Sequence, residues 1–308
     1  MKEFAILLNP SSGSKRASKN IKNLQNALLK YEISYDLFIS KSEDDLKKLT
    51  REKSKTHKYL IAAGGDSTFL IMVNELLKRK IPAIVGLIGL GSSDDIVRDY
   101  GFLTLDEACA TLKNKSIQQI DIGTIKSSGK ILSYFIGQAN IGLGVSVNRY
   151  VENFKKKHKL WGKSQFIGGL LGMYYAYKKH EVPVLLNIKS KDKEIEKKFI
   201  LTLFTKIKYW ATGIKMAPGA NSTDGFLQAV FFTKCGFFRL LKLTLMAKKE
   251  THLKEKEVIN IVSKKYSVSS IKPFSIQIDG EIIKENDKDK LFTNVEIGVL
   301  PKAIKMLK

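Results

Sequence analysis

Cysteine, proline and histidine are scarce in this chain of 308 residues, with two, six and four copies respectively. Two cysteines, Cys109 and Cys235, are too few for a disulfide framework, and we expect reduced thiols in a cytoplasmic protein. The few prolines also exclude a proline-rich linker protein or a collagen. The four histidines show no metal-ligand spacing. The serine-hydrolase elbow and the Cys-x-x-Cys and His-Glu-x-x-His motifs are also missing, so nothing supports a serine hydrolase, a thiol redox enzyme or a zinc protease.

Long apolar runs are missing as well. The longest, Ile81–Leu90, is shorter than the roughly 18 residues that a membrane-spanning helix needs. The apolar stretch Phe4–Leu8 is shorter than the core of a signal peptide. The sequence therefore predicts a cytoplasmic protein that does not cross a membrane.

Acidic residues are outnumbered, because 53 Lys and Arg oppose 30 Asp and Glu and give a net charge of +23. Three explanations stand side by side: the codon bias of an AT-rich genome, a role at an anionic membrane surface, and nucleic-acid binding. Zinc-finger spacing and an RNP motif are absent, so nucleic-acid binding has no motif behind it.

The first part of the chain alternates apolar strands and amphipathic helices. This order predicts an α/β domain with a parallel sheet over residues 1–118. The strands that we expect are Phe4–Leu8, Ser34–Ile39, Tyr59–Ala63 and Ala83–Ile88, and the helices are Ser18–Leu29, Glu43–Leu49, Phe69–Leu77 and Leu105–Leu112.

After Gln118 the pattern changes to short strands with alternating hydrophobicity. It predicts a mostly antiparallel β-sandwich domain over residues 119–290. The expected strands are Ile120–Ile125, Ser133–Ile141, Val184–Lys189, Lys198–Phe204, Phe226–Phe232, Tyr266–Ser270 and Phe274–Ile278. Two helical stretches, Gly144–Lys179 and Phe237–Lys249, interrupt them.

Three glycine-containing loops each follow a predicted strand of the first domain: 9–15, 64–68 and 89–95. Such loops meet at the carboxyl edge of a parallel sheet, where glycine lets the backbone approach a phosphate and helix N-termini bind it. Asp66 could hold a Mg²⁺ ion that bridges phosphates. The loops are neither a Walker A motif nor a Rossmann fingerprint, yet together they predict a nucleotide site.

Two acidic turns occur in the second half, at 218–225 and at Asp279-Gly280-Glu281. Asp-Gly is common in hairpin turns, so both can be purely structural. The alternative is that their carboxylates lie at a cleft between the domains and serve as metal ligand or general base.

These motifs, in this order, resemble the diacylglycerol kinase catalytic-domain family, which is related to sphingosine kinases, ceramide kinases and NAD kinase. The resemblance covers nearly the whole chain. Its motifs are Asn9-Pro10-x-x-Gly13, Gly64-Gly65-Asp66-Ser67-Thr68, Gly91-Ser92-Ser93-Asp94-Asp95, Asp121-Ile122-Gly123, 140–144, Asp224-Gly225-Phe226, Asp279-Gly280-Glu281 and the closing segment 297–301.

The resemblance implies a lipid kinase of phospholipid metabolism that transfers phosphate from ATP, with Mg²⁺, to a hydroxyl of diacylglycerol or a related lipid. It implies that Glu281 accepts the hydroxyl proton, with Asp279 beside it, and that Asp66 acts in catalysis. Asp224 and the Phe226 carbonyl would bind metal, and residues 291–308 would return to the first domain. A homodimer is a further implication. The residues implied to bind the nucleotide are Asn9, Pro10, Ser11, Ser12, Gly13, Ser40, Gly64, Gly65, Asp66, Ser67, Thr68, Ser92 and Asp95.

This sequence departs from the family pattern on the nucleotide side. Ser67 and Ser93 replace glycines, Gly89 replaces a proline and Asp94 an asparagine. Leu70 and Ile71 stand where the family has Asn and Glu. A serine at a position that needs positive φ would strain the loop, and an added carboxylate would repel phosphate. The alternatives to an ordinary ATP-dependent lipid kinase are a changed phosphate donor, weak activity, or a catalytically inactive relative that binds lipid or nucleotide. An NAD kinase is a further alternative.

The segment Leu160–Tyr177 is apolar and aromatic and follows the basic run Lys155–Lys159. It predicts either the lip of a lipid-binding cleft beside a basic patch for an anionic membrane, or a helix packed between the domains. A reversibly bound enzyme at the inner face of a membrane would use the first arrangement.

Overall fold

The first part of the chain forms the alternating strands and helices that its pattern predicts. The structure, a computed structural model, describes residues 2–91, 95–157, 165–286 and 288–308, without the side chains of 14–16, 155–157 and 165–167. The strands are β1 (Phe4–Leu8), β2 (Tyr35–Ile39), β3 (Tyr59–Gly64) and β4 (Ile84–Gly89). The helices are α1 (Ser12–Lys19), α2 (Ile21–Lys30), α3 (Glu43–Lys53), α4 (Asp66–Lys78), α5 (Asp95–Tyr100) and α6 (Leu105–Asn114).

Strands β2, β1, β3 and β4 lie side by side in that order, and all three pairs are parallel. Every residue of β1 and β3 is buried, as expected for central strands that helices cover on both faces. The expected helix Ser18–Leu29 is divided, because α1 ends at Lys19 and α2 begins at Ile21.

The second part contains fifteen described strands and three longer helices. The strands are β5 (Ile117–Ser127), β6 (Lys130–Phe135), β7 (Gln138–Gly142), β8 (Val184–Lys189), β9 (Glu194–Thr205), β10 (Tyr209–Trp210), β11 (Ile214–Lys215), β12 (Leu227–Thr233), β13 (Val258–Ser263), β14 (Lys265–Phe274), β15 (Gln277–Ile278), β16 (Glu281–Ile282), β17 (Lys284–Glu285), β18 (Lys288–Asp289) and β19 (Phe292–Leu307). The helices are α7 (Leu143–Lys157), α8 (Gln165–Lys178), α9 (Phe237–Lys248) and a 3₁₀ turn, His252–Lys254.

Nearly all the strand pairs of this second part are antiparallel, so the predicted combination of a parallel α/β domain and an antiparallel β domain is confirmed. The expected strand Ser133–Ile141 is two strands, β6 and β7, which are separated at Ile136 and Gly137. The expected helical stretch Gly144–Lys179 is α7 and α8, and its middle lies outside the described residues.

The last strand connects the two parts. Along most of its length β19 pairs antiparallel with β5 and β14. Near its end, Lys305 and Met306 pair in parallel with Ile84 and Val85 of β4. One hydrophobic core extends from the parallel sheet into the second domain, and a second core lies beneath α8 and α9.

Helices α7 and α8 pack closely against each other at Gly172. A Cβ atom added at Gly172 would lie 3.1 Å from the Cα atom of Val147, so a larger residue would push the helices apart. The rings of Tyr150 and Tyr175 stack across the pair with centroids 4.6 Å apart. Among the described residues, no helix is long and apolar enough to cross a membrane.

Candidate active site in the cleft between the domains

The first two glycine loops are joined by hydroxyl and amide groups at the ends of β1 and β3. The Asn9 side chain donates to the Thr68 hydroxyl at 3.1 Å, and the Ser12 hydroxyl lies 3.1 Å from the same oxygen. Ser12 also accepts the Gly65 N–H at 3.3 Å. These bonds hold the N-terminal turns of α1 and α4 beside each other.

Gly64 leaves the space that this network needs. A Cβ atom at Gly64 would lie 2.4 Å from the Thr68 hydroxyl oxygen, and one at Gly65 would lie 3.2 Å from the Cα atom of Gly91. Side chains at these positions would therefore separate the loops. The backbone here can approach a bound anion closely, as phosphate-binding loops require.

Ser67 occupies an ordinary helical position. Helix α4 begins at Asp66, so Ser67 lies in its first turn, and the positive-φ residue in this region is Gly13, at 61°. The strain that a serine would suffer at a left-handed position therefore does not arise. Leu70 is buried and Ile71 packs against the core, so both departures on α4 serve as core residues.

Asp66 and Asp95 support the junction between the domains. The Asp66 carboxylate accepts the backbone N–H of Asp95 at 2.9 Å. The Asp95 carboxylate in turn accepts the N–H groups of Thr212 and Gly213, at 3.2 and 2.8 Å. Asp95, expected from sequence at the nucleotide, thus also fixes the second domain's 211–213 turn against the first domain.

The Asp279 carboxylate binds the turn between β6 and β7. It accepts the N–H groups of Ile136, Gly137 and Gln138 at 2.7, 2.9 and 2.6 Å. Burial raises the pKa of Asp279 to about 6, and the three N–H groups oppose this shift. Asp279 has a φ of 43°, a left-handed conformation that Asp and Asn tolerate better than most residues. In this arrangement Asp279 holds the turn that carries Glu281 against residues 136–138.

Glu281 follows this turn and lies at the cleft. Its side chain is accessible to solvent, while the surrounding protein partly desolvates the carboxylate. This desolvation, together with the negative charges of Glu152 and Glu43, raises the pKa of Glu281 above that of an ordinary glutamate, and Lys284 opposes the shift. A carboxylate with a raised pKa at a cleft is suited to accept a proton.

Buried amide side chains form a polar layer next to Asp279. Asn140 donates to the Gln277 carbonyl oxygen at 2.6 Å, and both residues are buried. Gln138 and Gln277 line the cleft. The Gln138 side-chain oxygen has no hydrogen-bond partner among the described residues, so it can accept a bond from a bound hydroxyl group.

The cleft has a volume of about 470 Å³ and two chemically different ends. At the first domain it is lined by Ser12, Gly13, Gly65, Asp66, Ser67 and Asp95. At the second domain its walls are largely apolar, from Val147, Val151, Leu170, Met173, Trp210 and Ile214, with Asp279 and Glu281 at the same cleft. A second hollow, near 126–129 and 290–296, contains none of the predicted site residues.

A lysine lies between Asp224 and the Phe226 carbonyl. The family resemblance implies that these two groups bind metal. The Lys206 ammonium donates to Asp224 at 2.8 Å, to Asp121 at 3.0 Å and to the Phe226 carbonyl oxygen. Oxygen ligands of Mg²⁺ lie about 2.1 Å from the ion, so the ion would overlap the nitrogen. A divalent ion therefore does not fit this site. Across the described part of the chain, no group of three His, Cys, Asp or Glu side chains is arranged to hold a metal.

The remaining predicted site residues lie around these groups. Ser11 donates its N–H to the Asn9 side chain at 3.1 Å, and Pro10 lies between them. Ser40 is buried at the end of β2, where its hydroxyl donates to the Leu8 carbonyl at 3.2 Å. Ser92, Ser93 and Asp94 lie outside the described residues, as does the stretch 158–164 of the expected basic and apolar segment.

Sequence reasoning missed several residues of the cleft. Gln138, Gln277 and Trp210 belong to none of the motifs, although Gln138 and Gln277 each lie two residues before one, and the fold brings all three to the cleft. Lys206 had a weak signal in the sequence, because this lysine follows directly on the mostly apolar run 199–205. In a chain with 53 basic residues, that signal was easily overlooked.

The fold is that of a two-domain protein with a cleft between an α/β domain and a β-sandwich domain. Known proteins that this chain resembles have domains of the same two kinds. Residues 3–125 match the diacylglycerol kinase catalytic domain, and residues 137–308 match the YegS C-terminal NAD kinase beta sandwich-like domain. The diacylglycerol kinase of Bacillus subtilis is 24% identical over 284 residues, covering 91% of this chain and 90% of the relative. The diacylglycerol kinase of Staphylococcus saprophyticus is also 24% identical, over 91% of this chain and 89% of the relative.

Among solved structures, a crystal structure of a diacylglycerol kinase from Bacillus anthracis aligns with a TM-score of 0.70 at 16% identity. The alignment covers 99% of this chain and 96% of the other, and at this identity it shows a shared fold. This chain belongs to the diacylglycerol kinase catalytic-domain family, with its YegS-type C-terminal domain. The relatives named diacylglycerol kinase support a lipid kinase.

Proposed function

We propose that this protein transfers the γ-phosphate of the magnesium complex of ATP to a hydroxyl group of a lipid such as diacylglycerol. The observation that carries the proposal is the cleft, which joins a glycine-lined polar end to an apolar end with Glu281 beside it. Family membership supports the same class of reaction. Each end of the cleft suits one of the two substrates.

The nucleotide phosphates would lie at the N-termini of α1 and α4. Gly13 and Gly65 line the cleft there without side chains, so backbone N–H groups can bind phosphate oxygens. The Asp66 carboxylate lies at the same place and can contact the magnesium ion that arrives with ATP. The side chains of Ser12 and Ser67 can add hydrogen bonds to the phosphates.

The acyl chains of the lipid would lie between α7, α8 and the 210–214 turn. Leu170, Met173 and Trp210 provide the apolar surface that such chains would bury. With the chains at this end, the lipid headgroup points toward Glu281 and the polar amides. Glu281 would then accept the hydroxyl proton while the hydroxyl oxygen bonds to the γ-phosphorus, and the bond from that phosphorus to ADP breaks.

The proposal is tested by incubating the purified protein with labelled ATP, Mg²⁺ and a panel of acceptors. The panel contains diacylglycerol, phosphatidylglycerol, sphingosine and ceramide in mixed micelles, with NAD as the soluble acceptor. We expect label in a lipid and none in NAD. Label in NAD alone would overturn the proposal in favour of an NAD kinase, and nucleotide binding without transfer to any acceptor would show a binding protein.

We further propose that the protein docks on an anionic membrane through an apolar and basic face beside the cleft. On α9, Phe238 and Leu245 are 85% and 60% exposed. On α8, Leu170, Leu171 and Tyr174 are exposed, and the rings of Tyr174 and Phe237 meet between the helices at 6.0 Å. Exposed lysines lie on the same helices or directly after them: Lys178, Lys242 and Lys249.

This docking face has the composition of a surface that inserts shallowly into an anionic bilayer. Leu170 belongs both to the face and to the lining of the cleft, so a docked protein could receive a lipid from the membrane directly. The inner side of α8 packs into the core of the second domain, where Met173 and Ala176 are buried, so the alternative of a helix packed between the domains does not describe this side.

The double substitution Phe238→Ser and Leu245→Ser tests the docking face. Because both side chains are exposed, we expect folding to persist and partitioning onto phosphatidylglycerol vesicles to fall by about tenfold or more. Co-sedimentation at low and high salt measures this, and high salt should weaken wild-type binding as well. The matched control is Leu29→Ser, at an equally exposed leucine on α2. If the double variant binds vesicles as the wild type does, the docking face lies elsewhere.

A further inference from the structure

A buried lysine lies at the position where the family resemblance implies a metal ion. The Lys206 side chain is 0% exposed, and its partner Asp121 is 1% exposed. Its ammonium group has three hydrogens and three acceptors: one oxygen of Asp121, one of Asp224 and the Phe226 carbonyl. A lysine is rarely buried unless its charge is compensated, so this saturated arrangement is a built site.

The lysine joins three separate segments of the second domain. Lys206 comes directly after β9 and donates its backbone N–H to the Gly137 carbonyl at 2.8 Å. Asp121 lies on β5, where it also accepts the N–H groups of Gly225 and Lys302 at 2.7 and 2.9 Å. Lys206 and Asp121 thus hold the 224–226 turn, and their own ion pair joins β5 to the end of β9.

Charge balance explains why a cation is needed there. Asp121 is buried, whereas 37% of the Asp224 side chain is exposed, and the two carboxylates converge with a carbonyl dipole on one point. Without a positive charge at that point, the oxygens would repel each other in a region of low dielectric constant. Either a divalent ion or an ammonium group can supply the charge, and the Lys206 nitrogen occupies the position.

We propose that the Lys206 ammonium is a tethered cation that replaces a divalent metal ion in this oxygen cluster. The second domain then needs no bound metal to keep its 224–226 turn in place. The Mg²⁺ of the proposed reaction would then be the ion that enters with the nucleotide, and not an ion bound in this cluster. The oxygen cluster belongs to the folded protein alone, so the test uses neither nucleotide nor lipid. Its result is independent of the proposed kinase activity.

The first measurement is thermal unfolding of the wild type with EDTA and with ~10 mM Mg²⁺ or Ca²⁺. We expect a Tm that differs by less than about 1 °C among the three conditions, because no metal binds the folded state preferentially. A clear rise of Tm with Mg²⁺ or Ca²⁺ that Asp224→Asn abolishes would overturn the inference. This comparison needs no lysine variant, so it decides the question even if such variants fail to fold.

The second measurement compares Lys206→Ala with Lys206→Met in EDTA. Both remove the charge and leave the buried Asp121 carboxylate, with Asp224 beside it, without a cation, so we expect the Tm to fall by about 10 °C. The alanine also leaves space, so the same concentration of Ca²⁺ or Mg²⁺ should restore several degrees to Lys206→Ala. The methionine fills the space, so metal should restore little to Lys206→Met.

The matched control is Lys208→Met, at an exposed lysine two residues further along, which should leave the Tm within about 1 °C of wild type. A wild-type Tm in Lys206→Met would show that the ammonium holds nothing in place. Equal metal rescue of the alanine and methionine variants would show that the metal acts at another site. Either result contradicts the tethered cation.

Discussion

Replacing Glu281 with Gln should lower kcat for lipid phosphorylation by about a hundredfold to ten-thousandfold. Glutamine has the same shape as glutamate but cannot accept the hydroxyl proton. The substrates should still bind, because neither the phosphate-binding loops nor the apolar wall changes. The measurement is steady-state kinetics with Mg-ATP and the preferred lipid, in which kcat falls and the KM for ATP stays within about threefold.

A neighbouring glutamate is the matched control. Glu285 is exposed on β17 and pairs with Lys290 at 2.8 Å, away from the lining of the cleft. Glu285→Gln should therefore retain at least about half of the wild-type kcat. If Glu281→Gln is as active as Glu285→Gln, Glu281 is not the proton acceptor.

The raised pKa of Glu281 adds a test by pH. A general base works only when it is deprotonated, so activity is lost as the pH falls through its pKa. Because desolvation and nearby carboxylates raise this pKa, the acidic limb of kcat/KM should lie above the pH expected for an ordinary glutamate. The residual activity of Glu281→Gln should lack that limb. A wild-type limb at ordinary glutamate pH would contradict the raised pKa.

Replacing Asp279 with Ala should lower the free energy of unfolding at about pH 7.5 by about 3–5 kcal/mol. The substitution leaves the buried N–H groups of residues 136–138 without their acceptor. It also puts an alanine at a φ of 43°, which costs about 1 kcal/mol more. Asp279→Asn tolerates this backbone conformation and keeps one acceptor oxygen, so its loss should be smaller. Urea unfolding of the wild type, Asp279→Asn and Asp279→Ala measures their free energies of unfolding, which should decrease in that order.

An exposed aspartate provides the comparison for this prediction. Asp192 lies in the turn between β8 and β9, and Asp192→Ala should change the free energy of unfolding by at most about 0.5 kcal/mol. Both Asp279 variants should also lower kcat, because the turn that they loosen carries Glu281. An Asp279→Ala protein as stable as Asp192→Ala would show that the three hydrogen bonds contribute little.

Much of the fold was predictable because local patterns and tertiary structure agree. Strands β1 and β8 begin and end where the sequence indicated, since each is an apolar or alternating run bounded by turn residues. The order of the strands and helices was enough to predict the parallel sheet. The boundary between β6 and β7 was not predictable, because the break at Gly137 depends on Asp279, which is distant in sequence.

The candidate site was predictable where chemistry requires particular residues in a short segment. Asn9, Ser12 and Thr68 were expected at the nucleotide end from their motifs, and the structure places them in one hydrogen-bond network. Ser67 was harder to judge, because only the structure shows that its backbone is helical. Lys206 could not be assigned from sequence, since its function depends on carboxylates that lie 85 residues before it and 18 residues after it.

The lysine occupies the position where the family resemblance implies a metal ion. Asp224 and Phe226 stand where the family motif has them, and their oxygens converge as a cation site requires. The cation itself comes from a residue outside every motif. A motif gives the ligands, whereas what they bind is decided by the volume and charge around them.

Phosphate transfer to a lipid hydroxyl in the cleft between the domains can be tested in a single comparison. The most direct measurement is the amount of labelled phosphate that wild-type protein transfers from ATP to diacylglycerol in mixed micelles with Mg²⁺, beside Glu281→Gln at the same concentration. We expect labelled lipid with the wild type and at least about a hundredfold less with the variant. Transfer that is equal in the two proteins, or no transfer to any lipid by a wild type that binds ATP, would contradict it.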